Sequence, residues 1–219
     1  MLKDKFLKAK PPSIENVGRM NSTNYICYDM MLAHLGTCNS ENDLINLINK
    51  KTIDEGKKYL KTSKKELLGS ELLRRIYQLR EPSAIVITGH LFIEVFLNKI
   101  IEIKFPYSYL ILDNRGFTFN LKLEILKAKN YLDDWLYFDI KHLNSLRNKY
   151  AHSLLYDIAD FDISQFLYFD LAYRAIHHES KRARHFLNTF LIKRVLIELL
   201  YRMTDKHKFL GEIKFNERK

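Results

Sequence analysis

Between Ser83 and Ile103 the chain is almost continuously apolar, and four of its few polar residues, His90, Glu94, Asn98 and Glu102, fall four positions apart. That spacing predicts a helix over Ser83 to Lys104, apolar around most of its circumference. Glu81-Pro82-Ser83 breaks the preceding pattern: proline ends one helix and Ser83 can cap the next. Upstream, Ser40 followed by Asp43 reads as a helix start with Leu44, Leu47 and Ile48 on its apolar face. Thr52 to Leu79 carries Ile53, Tyr59, Leu60, Leu67, Leu68, Leu72 and Ile76 at helical intervals. Residues 1–24 read as loosely ordered, and Tyr25 to Leu35 is apolar enough to pack. Downstream, Pro106 to Phe119 reads as a connection. Helices are expected over Lys122 to Lys129, Trp135 to Leu155, roughly Ser164 to His177, and Arg184 to Met203, followed by a charged tail.

These elements predict an all-α protein, an antiparallel helical bundle with extra N-terminal helices. Residues 1–80 form an N-terminal helical extension of unassigned role, 81–205 the bundle, and 206–219 a basic C-terminal tail. Only seven glycines and four prolines in 219 residues agree with few tight turns.

Charge adds a class of partner. With 36 Lys and Arg against 26 Asp and Glu, the formal charge is +10, a field that attracts RNA, DNA or anionic lipid without choosing among them. Ser83 to Ile103 has the length of a membrane span, but His90, Glu94, Asn98, Lys99 and Glu102 would be costly in lipid. It therefore reads as a buried bundle helix, with no membrane partner expected. No secretory signal is legible at the N-terminus, so the expected location is cytoplasmic. Two cysteines make no disulfide framework. Cys27, His34 and Cys38 lack a compact fourth ligand for zinc and read as core residues, so no metal is expected. There is no glycine-rich phosphate loop, Gly-x-Ser-x-Gly elbow or paired-carboxylate metal site, which argues against nucleotide hydrolysis and serine hydrolase chemistry. No cofactor is implied.

The informative string is Leu143-Asn144-Ser145-Leu146-Arg147-Asn148-Lys149-Tyr150-Ala151-His152. On a helix, Leu143, Leu146, Tyr150 and Leu154 share the core face, while Asn144, Asn148 and His152 form a polar stripe. Arg147 can swing towards that stripe, and the small Ala151 lets another chain approach. RNA cleavage without metal needs a base for the 2′-OH, an acid for the departing 5′-oxygen, and a cation for the charged phosphorus centre. Histidine titrates near neutrality, and arginine binds phosphate oxygens in bidentate fashion. One histidine is one group short of an acid–base pair; a symmetric dimer supplies the second. The same spacing also arises on a solvated or interface face.

Leu146-Arg147-Asn148-Lys149-Tyr150-Ala151-His152 resembles the Arg-Asn-x-x-x-His signature of the HEPN superfamily. The lead-in Gly116-Phe117-Thr118-Phe119-Asn120-Leu121-Lys122-Leu123 is similar to the mannitol-operon repressor-like branch, and the resemblance covers Ser83 to Asp162. It implies a bundle that dimerises through the motif helices and, in active members, a metal-independent endoribonuclease serving as a toxin or phage-defence effector. Arg147 would then bind the scissile phosphate, His152 act as acid or base, and Asn148 orient either. A cognate antitoxin or regulatory protein is a further implied partner. Some toxins of the superfamily carry a modified tyrosine two residues after the histidine; here that position is Leu154, and Tyr156 lies four after it. The repressor-like branch keeps the motif in a regulatory role, so a non-catalytic dimeric regulator binding protein or nucleic acid is the alternative.

Further candidates surround the motif. On the helix Ser83 to Lys104, the stripe containing Glu94 either completes the site, a carboxylate near His152 tuning its protonation, or is simply a solvent face. Asn144 and Tyr156 are further supporting candidates. Lys149, Lys181, Arg182 and Arg184 are candidate nucleic-acid contacts; His177, His178 and His185 belong to the same basic cluster, which tracks an RNA backbone or is a charged interhelical loop. Lys57, Lys58, Lys61, Lys64 and Lys65 read as a solvated face.

Overall fold

The computed structural model describes residues 40–62, 67–153, 155–166 and 180–214. Among these the protein is all-α, with a lone antiparallel bridge between Leu67 and Lys214 as its only β feature. The helices are α1 (Glu41–Thr62), α2 (Leu68–Gln78), α3 (Pro82–Lys104), α4 (Ser108–Leu112), α5 (Phe119–Ala128), α6 (Asp134–His152) and α7 (Lys181–Lys206). Short 3-10 turns lie at Ile158–Asp160, Ile163–Gln165 and Lys208–Glu212. The expected packing of Tyr25 to Leu35 and the Cys27, His34, Cys38 group lie outside the described residues. So does most of the helix expected over Ser164 to His177.

Local chemistry moved several boundaries. Ser83 does not cap α3: Pro82 occupies its first turn and Glu81 is the extended residue before it, with no side-chain cap. Proline is suited to that position because its missing N–H would have had no intrahelical partner. The expected connection between Pro106 and Phe119 contains α4, entered through Tyr107 in the left-handed region (φ 57°). Thr118 caps α5 through the Leu121 amide, which starts that helix at Phe119. The Asp133 carboxylate accepts from the Leu136 amide at 2.8 Å and opens α6. α6 ends at His152, because the chain turns extended at Ser153. Ser180 caps α7 through the Ala183 amide at 3.1 Å, extending the helix upstream of the expected Arg184.

α3 is the central element, buried through Ile85, Val86, Ile93, Phe96, Leu97 and Ile100 against α2, α5, α6 and α7. It runs antiparallel to α6: Glu81 at its start acts on Tyr150 near the end of α6, while His90 meets Asn144. α3 and α7 cross at Gly89, where a Cβ would stand 2.3 Å from Leu196 Cδ2, so any side chain there would force the buried Leu196 to move. Lys193 of α7, itself buried, donates to the Leu79 carbonyl at 2.8 Å and ties the α2–α3 junction to the core. Burial pulls its ammonium down to about 8.

Ile48 of α1 and Leu68, Leu72 and Ile76 of α2 belong to the same core as the later helices. The described part of the expected basic tail is folded in. Leu210 is buried, the Leu68 amide donates to the Ile213 carbonyl at 2.8 Å, and His207 Nε2 bonds the Tyr131 carbonyl at 2.8 Å. The reason is the apolar set Phe209, Leu210 and Ile213, which the surrounding charges hide from a reading by composition.

Candidate functional site

The motif helix α6 is held by its apolar arc. Leu136, Ile140, Leu143 and Leu146 are buried and Tyr150 partly so, as the spacing predicts. The polar stripe beside that arc is not uniformly open. Asn144 is buried rather than on the surface. Its carbonyl oxygen meets His90 Nε2 at 2.9 Å, and its amide nitrogen donates to Asn120 Oδ1 at 2.8 Å. A continuous polar chain thus links α3, α6 and α5, satisfying groups that would be costly to bury alone. Because the Asn144 oxygen faces the imidazole, Nε2 carries the proton. Phe119 stacks on the His90 ring at 4.1 Å between centroids. Burial pushes His90 below the ordinary histidine range; the Asn144 bond and Glu94 pull the other way, while Arg147 and Lys122 deepen the depression.

One turn along α6, Arg147 Nη1 donates to Asn148 Oδ1 at 3.1 Å, the swing towards the stripe that the sequence suggested. Both side chains are partly exposed. Among the described residues, Arg147 has no carboxylate partner. Glu94, the supporting candidate on α3, accepts from Lys122 Nζ at 2.7 Å. The Lys122 side chain is 9% exposed and that of Glu94 31%. An unneutralised, half-buried guanidinium is a ready site for an anion such as a phosphodiester.

His152 is exposed at the last residue of α6 and has no hydrogen-bond or ion-pair partner among the described residues. Five positions separate it from Arg147, so within one chain the two point about 140° apart. Ala151 between them is exposed. On α3, Ile87 and Leu91 are exposed apolar residues one turn apart.

The other flank of α6 is different. Tyr156 packs edge-on to Tyr150, with ring centroids 5.1 Å apart, and both hydroxyls are buried without a partner. Burial raises the Tyr156 phenol to about 12. Lys149 lies over the Tyr156 and Phe161 rings at 5.8 and 5.0 Å. Lys181 pairs with Asp160 at 3.0 Å, and Arg184 donates to the Ala159 carbonyl at 3.3 Å. His185 Nδ1 meets Asp157 at 2.8 Å. Much of the basic cluster is thus engaged with residues 157–160 beside α7. Arg182 is exposed, while His177 and His178 lie outside the described residues.

The arrangement also contains residues that were not singled out as site residues from the sequence. Lys122 and Asn120 complete the polar floor, and His90 anchors it. The available signal was a lysine in the otherwise apolar face Phe119, Leu123, Leu126, where a charge needs a buried partner. Among the described residues no group of three His, Cys, Asp or Glu could hold a metal ion. The sequence matches no family model, no curated protein and no solved structure. The resemblance to HEPN domains rests on the motif string and its lead-in in the sequence, and none of these comparisons adds to it.

Proposed function

We propose that the protein is a metal-independent endoribonuclease of HEPN type, a toxin or defence effector that acts as a homodimer. The observation that carries this is Arg147: a half-buried guanidinium with no carboxylate partner among the described residues, bonded to Asn148, on the helix that also presents Asn144 to His90 and ends in the exposed His152.

In the reaction the 2′-oxygen of the RNA forms a bond to phosphorus while the bond to the 5′-oxygen breaks. A base takes the 2′-OH proton and an acid delivers one to the departing oxygen, leaving a 2′,3′-cyclic phosphate and a 5′-hydroxyl. Arg147 binds the scissile phosphate and offsets the charge that builds on it. Asn148 holds the guanidinium. His152 performs one proton transfer, and the second comes from His152 of a second copy. Arg147 and His152 point roughly 140° apart on one helix, so in this reading the composite site is completed by a second copy related by a two-fold axis.

The test is cleavage of end-labelled RNA in EDTA by wild type, Arg147→Ala and His152→Ala. Cleavage by wild type alone, with cyclic-phosphate or 3′-phosphate ends, supports the proposal. A folded dimer that leaves diverse RNAs intact, or mutants that cut equally well, would move the assignment to a non-catalytic regulator using the same face.

A further inference from the structure

The end of α3 and the short helix α4 form a tip that the bundle leaves uncovered. Four of the eleven large apolar side chains exposed among the described residues, Ile103, Tyr107, Tyr109 and Leu110, fall within eight consecutive positions. Tyr107 is 71% exposed and Leu110 63%, and α4 contributes no buried residue. Phe105 and Leu112 pack against the core on either side, and the Ser108 hydroxyl donates to the Glu102 carbonyl at 3.4 Å. The tip is therefore anchored while its apolar side chains stay outside. Tyr107 enters α4 at φ 57°, a conformation costly for a bulky side chain, although it adds nothing to the core. Strain of that kind collects at binding surfaces.

The charges beside the tip are unequal. Tyr131 meets Phe105 edge-on at 5.8 Å and has Lys104 over its ring, which brings the end of α5, with Lys129, to the same end of the bundle. Lys104, Arg115 and Lys129 are exposed and have no carboxylate partner among the described residues. Glu102 pairs with Lys99, Asp133 with Lys206 and Asp134 with Lys127, which leaves Asp113 against the three cations. Protruding apolar side chains flanked by unneutralised cations complement an anionic lipid surface. Ile103 and Leu110 enter the acyl boundary, the tyrosine hydroxyls stay at headgroup level, and the cations meet phosphates. Eight residues are too few for a stable protein interface, which takes roughly 20–30 residues and about 800 Å² on each partner. An RNA strand would engage the cations and stack on the tyrosines, but would gain little from the aliphatic Ile103 and Leu110.

We propose that this tip docks the protein on an anionic phospholipid surface, as a peripheral contact and not a span. α3 itself remains a core helix, buried through Phe96, Leu97 and Ile100. The proposal stands apart from the ribonuclease assignment and does not use Arg147 or His152.

The experiment floats the full chain on density gradients with vesicles of phosphatidylcholine alone or mixed with phosphatidylglycerol; circular dichroism and melting confirm folding. Wild type is expected to float with the mixed vesicles, not with phosphatidylcholine alone, and to be released by high salt. Leu110→Ser, and separately Lys104→Gln combined with Arg115→Gln, should each weaken binding by about tenfold or more. Tyr107→Gly should weaken it without lowering the melting temperature, since glycine accepts that φ without strain. Leu155→Ser, at an exposed leucine beyond the far end of α6, should stay within about twofold of wild type. Leu110→Trp adds an indole that brominated lipid quenches once the tip enters the bilayer. Wild type that does not float with the mixed vesicles overturns the proposal. Flotation that the tip and charge variants leave unchanged also overturns it, as does a Leu110→Trp indole left unquenched on floated protein. Tip variants that float normally but bind an RNA oligonucleotide more weakly would assign the tip to RNA instead.

Discussion

The two flanks of α6 carry similar residues and use them in opposite ways. On the flank facing α7, Lys181, Arg184 and His185 pair with carboxylates and a carbonyl of residues 157–160, and Asn188 bonds the Ile158 and Phe161 carbonyls at 2.8 and 3.0 Å. On the flank facing α3 and α5, one cation is paired with the local carboxylate and the other, Arg147, is left with an amide. A basic cluster in sequence is therefore no guide to an anion site. What matters is whether carboxylates and carbonyls within reach already occupy the cations.

The comparison is broken most severely by Arg147→Ala and His152→Ala. Each is expected to lower RNA cleavage by about 100-fold or more while leaving the melting temperature close to wild type. Unchanged cleavage would remove the functional half of the contrast. On the other flank the expected effect is on stability. Asn188→Ala removes the side-chain donor to the buried Phe161 carbonyl and one of two donors to the Ile158 carbonyl, and should cost about 2 kcal/mol in urea denaturation, with cleavage per folded molecule unaffected.

A smaller effect concerns acid. Burial opposes ionisation of Asp157, but the Ala159 amide, His185 and Lys181 together hold its carboxyl below the ordinary range. A depressed folded value means the contribution is complete above the unfolded value and is lost as pH falls through the lower, folded one. Denaturation at pH 6, 4 and 3 should show wild type losing stability on the acid side more steeply than Asp157→Asn. Parallel curves would mean the Asp157 contacts contribute nothing. The smallest expected effect is on Lys181→Ala, whose ammonium is tied to Asp160: cleavage should stay within about twofold of wild type. A tenfold loss there would place RNA on the α7 flank and dissolve the contrast.

Much of the helical framework was legible from spacing. The core arc of α6 and the long buried α3 follow from where Leu, Ile and Phe recur, because burial of an apolar arc is a property of the helix period. The folded end at Phe209, Leu210 and Ile213 was not, since its few apolar residues sit among lysines and acids, and a tail and a closing segment look alike by composition. In the site, Arg147 and Asn148 meet as their adjacency on one helix allows, whereas the pairing of Glu94 with Lys122 was not legible from spacing. Two groups on one helix have a distance set by that helix; two groups on different helices have one set only by packing.

By itself, then, the sequence determined an all-α chain and the order of residues along its motif helix, because both follow from the local geometry of a repeating backbone. Only the tertiary structure decided which charges are neutralised. His90, Asn120 and Asn144 come from three helices, as do Glu94, Lys122 and Arg147, and pairing among them depends on crossings such as the close approach of α3 to α7 at Gly89. No local period encodes a contact of that kind.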